Sequence, residues 1–353
     1  MLHFAQTSDQ LFLGTSGLDG TDLLPSLPPP TDFPRDNLAV ESMYKALSQT
    51  EPGTAWLVAT GTLTNVALLF ALHPSLANHL AGFSMMGGAI GGFFTHAPLG
   101  RLSERIQLSP QLHQQFPSGL PDDSNMSISE VASLFRKLGL LQDADKISHD
   151  KAQLLLNQAR QNFGNSTPYA EFNIYSDPES ASSVLSNSQL TLKTTLLPLD
   201  ITHQVLATPQ VLSLVKHGHR RPQYPNTNVR SLFHDLLTFF AQTYNIEFSM
   251  PSPPLHDPLA VAAALYPALF DDNDGERYAV HVVRDGDDTV VPRSRRSAES
   301  VGQCGRTLVR MMGKVRDGVE GVRIPRTLRV EVFWWLVEFA LEEAEGRMEN
   351  VGL

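Results

Sequence analysis

Between Gly53 and Gly88 the chain switches periodicity twice, and that switch limits the folds open to it more than any other feature. Ala55-Trp56-Leu57-Val58-Ala59 is a short apolar run bounded by Gly53 and Gly61, with the length and flanks of a buried strand. Thr62-Leu63-Thr64-Asn65 then opens a helix through Val66, Leu69, Phe70 and Leu72 that must stop at His73-Pro74. A second apolar run, Phe83-Ser84-Met85-Met86, ends in Gly87-Gly88. Strand, helix and strand at this spacing form a right-handed crossover between parallel neighbours, so the expectation is an α/β chain with an open, mainly parallel sheet flanked by helices.

The rest of the pattern extends that reading. Residues 1 to 36 follow no regular period and read as loop, whereas Ala39, Val40, Met43, Tyr44 and Leu47 recur at helical spacing up to Ser48. After Gly91-Gly92 the alternation breaks over residues 93–163. Ser127-Ile128-Ser129-Glu130 has the form of a capping box leading into Val131, Leu134, Phe135 and Leu138, and Ala152, Leu155, Leu156 and Ala159 repeat the helical spacing. We therefore read residues 93–163 as an inserted helical hairpin, a lid or partner surface in its functional reading and a passive decoration in the plainer one. Asp177-Pro178-Glu179 starts a helix, Leu192 to Leu197 makes a strand, and His256-Asp257-Pro258 opens another helix. Tyr278 to Val283 is a further strand. The last helix carries Val330, Phe333, Trp334, Val337 and Leu341 on one stripe, with Glu338, Glu342 and Glu345 largely elsewhere.

Composition enters through what it excludes. The 353 residues carry a formal net charge of −10, which argues against a nucleic-acid partner. Cys304 is the only cysteine, so neither an intramolecular disulfide framework nor a cysteine-built zinc centre exists. No run approaches the roughly 18 apolar residues of a membrane span, and no charged leader opens the chain, so the expected location is cytoplasmic. A complete phosphate-binding loop, a serine elbow and a Gly-x-Gly-x-x-Gly fingerprint are all missing from the sequence.

In open parallel sheets ligands bind beyond the carboxyl ends of the strands, which directs attention to Thr60–Asn65, Met86–Gly88 and Asp200–Gln204. A denser polar run spans Asn165 to Asn173. On an extended segment Glu171 and Asn173 would share a face, as binding a polyol requires; the plainer alternative is a turn held by side-chain hydrogen bonds. Asp257 reads either as an ordinary N-cap before Pro258 or as a hard oxygen ligand for a divalent cation, with His256 beside it as an acid. Asp271-Asp272-Asn273-Asp274-Gly275 hints at a calcium loop, but Phe270 and His281 occupy the first and last ligand positions, which discards it.

Together these segments resemble the inosine-uridine preferring nucleoside hydrolase family. Leu57-Val58-Ala59-Thr60-Gly61-Thr62-Leu63-Thr64-Asn65 is similar to its "LVATGPLTN" segment, and Ser84 to Gly88 to its "LMGG" strand end. Asn165 to Ile174 with Asp177-Pro178-Glu179 resembles "GNxTPxAEFNIxxDPEAA", with Ser180 at the first closing alanine. Leu199 to Pro209 and His256-Asp257-Pro258 complete the set, and the order holds from about Gly14 onward apart from the insertion. The resemblance implies a Rossmann-like sheet that lacks its first βα units. Residues 1–92 and 164–353 would then form one nucleoside hydrolase domain interrupted by 93–163.

The resemblance also implies an activity. The family hydrolyses the N-glycosidic bond of ribonucleosides, with a calcium ion binding the ribose diol and the attacking water. Thr60, through its carbonyl, and Asp257 would ligate calcium; Asn165, Glu171 and Asn173 would hold ribose hydroxyls; Met86 would line the sugar site; His256 would assist departure of the base. Its members are commonly homo-oligomers. The family also begins with a "DxDPGxDD" cluster that supplies calcium ligands and the general base. No such run occurs here; Asp122-Asp123, Asp271-Asp272 and Asp287-Asp288 lie in other contexts, and Leu13 to Gly20 resembles a later "HGxxGLdG" loop. The expectation is an N-terminally incomplete chain with weakened calcium affinity. The alternative is an inactive nucleoside-binding or interaction protein derived from the family.

Overall fold

A computed structural model describes residues 39–92, 94–95, 97, 114, 127–137, 141–142, 147–149, 163–219, 228–248, 250, 252–284 and 303–351. The second helical pattern of the insertion, the aspartate pairs 122–123 and 287–288, and the loop around Gly14 lie outside the described residues. The chain divides into two compact units.

The larger unit comprises residues 37–204 and 256–328. It is built on helix α1 (Ala39–Ser48), β1 (Trp56–Ala59), α2 (Thr64–Leu72), α3 (Leu76–His79) and β2 (Gly82–Met86). Next come α4 (Ile128–Lys137), α5 (Phe172–Ser176), α6 (Pro178–Leu185), α7 (Ser188–Thr191), β3 (Thr194–Leu197) and α8 (Leu199–Thr202). The sheet has the order β1-β2-β3-β7-β5-β6, with β5 at Glu276–Val282, β6 at Thr307–Lys314 and β7 at Val322–Arg323. Strands β1, β2, β3 and β7 run parallel, while β5 is antiparallel to both β7 and β6. The expected mainly parallel α/β sheet is therefore present.

Register places alternate side chains of β2 on opposite faces. Phe83 and Met85 enter the main core with Val66, Leu69 and Phe70 of α2 and with Ala181, Val184 and Leu185 of α6. Ser84 and Met86 face the other way, where the Ser84 hydroxyl donates to the Ala260 carbonyl at 2.8 Å and Met86 packs with Ala260 and Tyr169. Helices thus cover both faces, and β2 and β3 are buried throughout. Strand β1 is not: Trp56 is exposed and the three residues after it are half-buried, which corrects the buried reading of this run. Among the described residues it has a strand neighbour on one side only.

Local signals set the helix boundaries. Asp177 caps α6 by accepting from the Ser180 amide at 3.0 Å, with Pro178 in the first turn where its missing N–H costs nothing. The capping box of α4 closes as read, the Ser127 amide donating to Glu130 at 2.7 Å. Helix α2 begins at Thr64 rather than Thr62, with Leu63 as its N-cap and the Thr64 hydroxyl donating to the Asp177 carboxylate. The polar turn of residues 271–275 joins β4 (Phe270–Asp271) to β5 (Glu276–Val282), and Asp272 is held by Arg277 and Arg323, each at 2.9 Å. Strands β6 (Thr307–Lys314), β7 (Val322–Arg323) and β8 (Thr327–Leu328) complete the unit, with α11 (Asp257–Leu265) lying against β1, β2 and β3.

The smaller unit contains α9 (Pro209–His217), α10 (Asn228–Phe248) and α12 (Val330–Val351). Phe333, Trp334 and Leu341 are buried as their stripe requires, but Glu338 and Glu345 are buried with them. That corrects the placement of these acids away from the stripe. They fall on the same face because they lie four residues after Trp334 and Leu341, and Arg230 of α10 neutralises both at 2.9 Å. Among the described residues no helix is long and apolar enough to cross a membrane.

Candidate functional site

The carboxyl ends of β1, β2 and β3 converge on the polar segments that follow them. Thr60 follows β1, Gly87-Gly88 follow β2, and α8 starts one residue after Pro198 at the end of β3. Gly88 adopts φ +83°, and a Cβ there would meet the Thr307 hydroxyl at 2.9 Å, so only glycine fits.

Glu171 and Asn173 bring these ends together, though not on an extended segment as expected. The chain turns at Glu171, which caps α5: one carboxylate oxygen accepts from the Asn173 amide at 2.9 Å, the other from Ile174 at 3.2 Å and from Gly88 at 2.8 Å. Free amides at a helix start are strong donors, and a buried carboxylate satisfies two of them and the Gly88 amide at once, which outweighs continued extension. Asn173 is therefore helical. Its side-chain amide donates to the carbonyls of Thr60 at 3.2 Å and Met86 at 3.3 Å, and lies 3.4 Å from the Met86 sulfur. One amide thus spans the ends of β1 and β2.

Asn165 is not joined to these groups by any contact among the described residues; its oxygen accepts from the Phe172 amide at 2.9 Å and braces the start of α5. His256 and Asp257 arrive with α11, on the face of the sheet to which Ser84 and Met86 point. His256 is the residue preceding that helix, and its side chain makes no cap; Asp257 lies inside the first turn and likewise is not the N-cap. Proline at the next position keeps the turn helical without a donor. The His256 ring instead turns back, with Nδ1 2.8 Å from the Thr202 hydroxyl and its centroid 5.7 Å from that of His203.

Burial governs the protonation of this cluster. It pushes Glu171 upward against three amides that pull down, with the Asp257 charge adding to the rise. It also raises Asp257, even though that residue keeps an exposed edge. His256 is lowered by burial to about 4, and His203 by burial and the nearby His256 to about 3, so both imidazoles are neutral near pH 7.

Two further residues shape the site, and sequence reasoning had flagged their cluster without giving them a role. Asp200, fully buried, accepts from the amides of Ile90 at 2.8 Å and Gly91 at 2.9 Å, fixing the loop after β2. Burial lifts its carboxyl to about 6 despite those amides. Thr202 is the other, through its contact with His256. Their only signal in the sequence was position: polar residues directly after a strand.

Calcium would need six to eight oxygens. The described residues offer the Thr60 carbonyl, already accepting from Asn173, and the Asp257 carboxylate, and no three His, Cys, Asp or Glu side chains among them converge on a metal-sized site. That donor set alone does not fit a calcium centre.

A sequence model of the inosine-uridine preferring nucleoside hydrolases matches residues 2–335, so the chain belongs to this family. The Schizosaccharomyces pombe protein C17G8.02 is 32% identical over 258 residues, which span 73% of this chain and 53% of that protein. The pyrimidine-specific ribonucleoside hydrolase RihA of Escherichia coli is 28% identical over 258 residues, covering 73% of this chain and 55% of RihA. The chain thus spans about half the length of these relatives. Among solved structures, the plant nucleoside hydrolase PpNRh1 superposes with TM-score 0.56 at 20% identity, over 94% of this chain and 74% of that one. The purine-preferring ribonucleoside hydrolase from Gardnerella vaginalis gives 0.55 at 18% identity, over 94% and 72%. These two likenesses establish the shared fold.

Proposed function

We propose that the strand-end cluster is the sugar-binding side of a ribonucleoside hydrolase site. The observation that carries the reading is the Asn173 amide bridging Thr60 and Met86 beside the buried Glu171 carboxylate. Hydrolysis of an N-glycosidic bond develops positive charge on the ribose, so a fixed anion and oriented amide oxygens stabilise the transition state more than the ground state. Glu171 is pinned by three amides and supplies that anion; Asn165 and Asn173 supply groups for ribose hydroxyls; Met86 forms the apolar floor. His256 is the group we assign to protonate the leaving base. Thr60 and Asp257 would supply two oxygens towards a calcium shell, which they do not complete by themselves.

That shortfall among the described residues favours a second reading, in which this chain binds nucleosides without cleaving them. Both are tested by measuring release of free base from inosine and uridine with added calcium, on this chain and on an N-terminally extended version. Base release that drops at least tenfold in Glu171→Gln and His256→Gln supports the hydrolase; calorimetric binding of nucleoside with no base release by either version overturns it in favour of the binding protein.

A further inference from the structure

We propose that Thr202 is the positioning residue of His256, holding its imidazole in the tautomer that carries the proton on Nδ1. The proposal deepens the role given to His256 above and rests on that reading. Thr202 is completely buried on α8, and its hydroxyl oxygen lies 2.8 Å from His256 Nδ1. The same hydroxyl faces the Leu199 carbonyl at 3.4 Å. A carbonyl only accepts, and a hydroxyl has one proton to give. Directing that proton to Leu199 makes both contacts hydrogen bonds at once, which leaves the threonine oxygen to accept and assigns the donor role to His256 Nδ1. The chain of polarity then runs from His256 to Thr202 to Leu199, and the lone pair falls on Nε2.

Several features support a dedicated arrangement. His256 sits where an N-cap would be expected, yet its side chain caps nothing and reaches from the start of α11 to α8. Leu199 is itself fixed, its amide donating to the Gly88 carbonyl at 2.9 Å and its carbonyl accepting from the His203 amide at 2.9 Å. The anchor of the imidazole is thereby tied to the same glycine that Glu171 holds. A ring fixed in this way presents one defined nitrogen for proton exchange, the arrangement seen wherever the partner of one imidazole nitrogen sets the role of the other.

The test reads the tautomer directly. Long-range proton–nitrogen correlation spectra of the whole chain, with imidazole nitrogens labelled and His256 assigned by loss of its signals in His256→Gln, are recorded at pH 7 for the wild type, Thr202→Val and Thr202→Ser. The expected result is a protonated Nδ1 in the wild type and in Thr202→Ser, and a shift to the Nε2-protonated or mixed form in Thr202→Val. An unprotonated Nδ1 in the wild type, or an unchanged tautomer in Thr202→Val, overturns the proposal. Should Thr202→Val fail to fold, the wild-type spectrum decides alone. Because the readout needs no turnover, failure of base release would count against the hydrolase reading and leave this one standing. Where turnover is measured, Thr202→Val should lower kcat about tenfold with KM little changed, and serine should restore it.

Discussion

Glu171 and Asp200 are both buried carboxylates whose oxygens are taken up by backbone amides, and each bears on the site through those amides. Replacing Glu171 with glutamine exchanges one acceptor oxygen for an amide that faces other N–H groups. We expect a loss of about 1–3 kcal/mol, read from urea unfolding. Asp200 predicts a pH dependence whose sign is unusual for a carboxylate. Its folded pKa, about 6, lies above the ordinary value of 3.8, so between these limits the folded state keeps a proton that the unfolded chain has released. Its contribution is therefore most favourable below the ordinary value and falls by about 3 kcal/mol as pH rises through 6. The stability of the wild type minus that of Asp200→Asn should decline over this window. A flat difference would count against the charge of Asp200 as its cause. At this scale the sequence was least legible: residue types such as Glu171 and Asn173 were readable, but Glu171 as a cap and Asn173 as a bridge depend on a turn that composition alone could not place.

At the scale of elements, sequence signals fared well wherever the determinant was local. Caps and prolines placed α4 and α6 because the groups that satisfy their free amides lie within a turn of them. Replacing Asp177 with alanine removes the acceptor for both Ser180 and the Thr64 hydroxyl and should cost about 1–2 kcal/mol in thermal or urea unfolding. Glu338 and Glu345 of α12 were misjudged for the opposite reason, since their partner Arg230 lies on a different helix, far away in sequence, whereas Glu342 is exposed as expected. Arg230→Met leaves Glu338 and Glu345 buried without a counter-charge, and a loss of about 3–5 kcal/mol is expected. Exchanging all three for apolar residues of similar volume should recover most of that loss, measured in the same unfolding experiment.

For the whole molecule, the crossover spacing between Gly53 and Gly88 was enough to predict a parallel sheet, because β1 and β2 are joined by one short helical crossover, α2 with α3. The sheet's reversal at β5 was not legible, since a strand's own apolar pattern does not fix which way its neighbour runs. Among the described residues β1 is paired on one side only, and this is the feature with the clearest solution behaviour. Trp56 lies exposed on that strand, and Leu72 of α2 and Leu265 of α11 are exposed by 55% and 67%. Unpaired strand edges beside apolar surface invite association. Sedimentation velocity should show this chain growing in mass with concentration, and Leu265→Lys should reduce the effect.

One join in the sheet carries a consequence for the order of assembly. Strands β3 and β7 meet through a single residue pair, Thr195 with Arg323, although they connect the parallel strands to the antiparallel ones. Ends so distant in sequence meet only after a costly loop closure, and little pairing rewards them when they do. In native-state hydrogen exchange the amides of Val322 and Arg323 should therefore open well before those of Phe83 to Met86, making this join the hinge along which the sheet first comes apart.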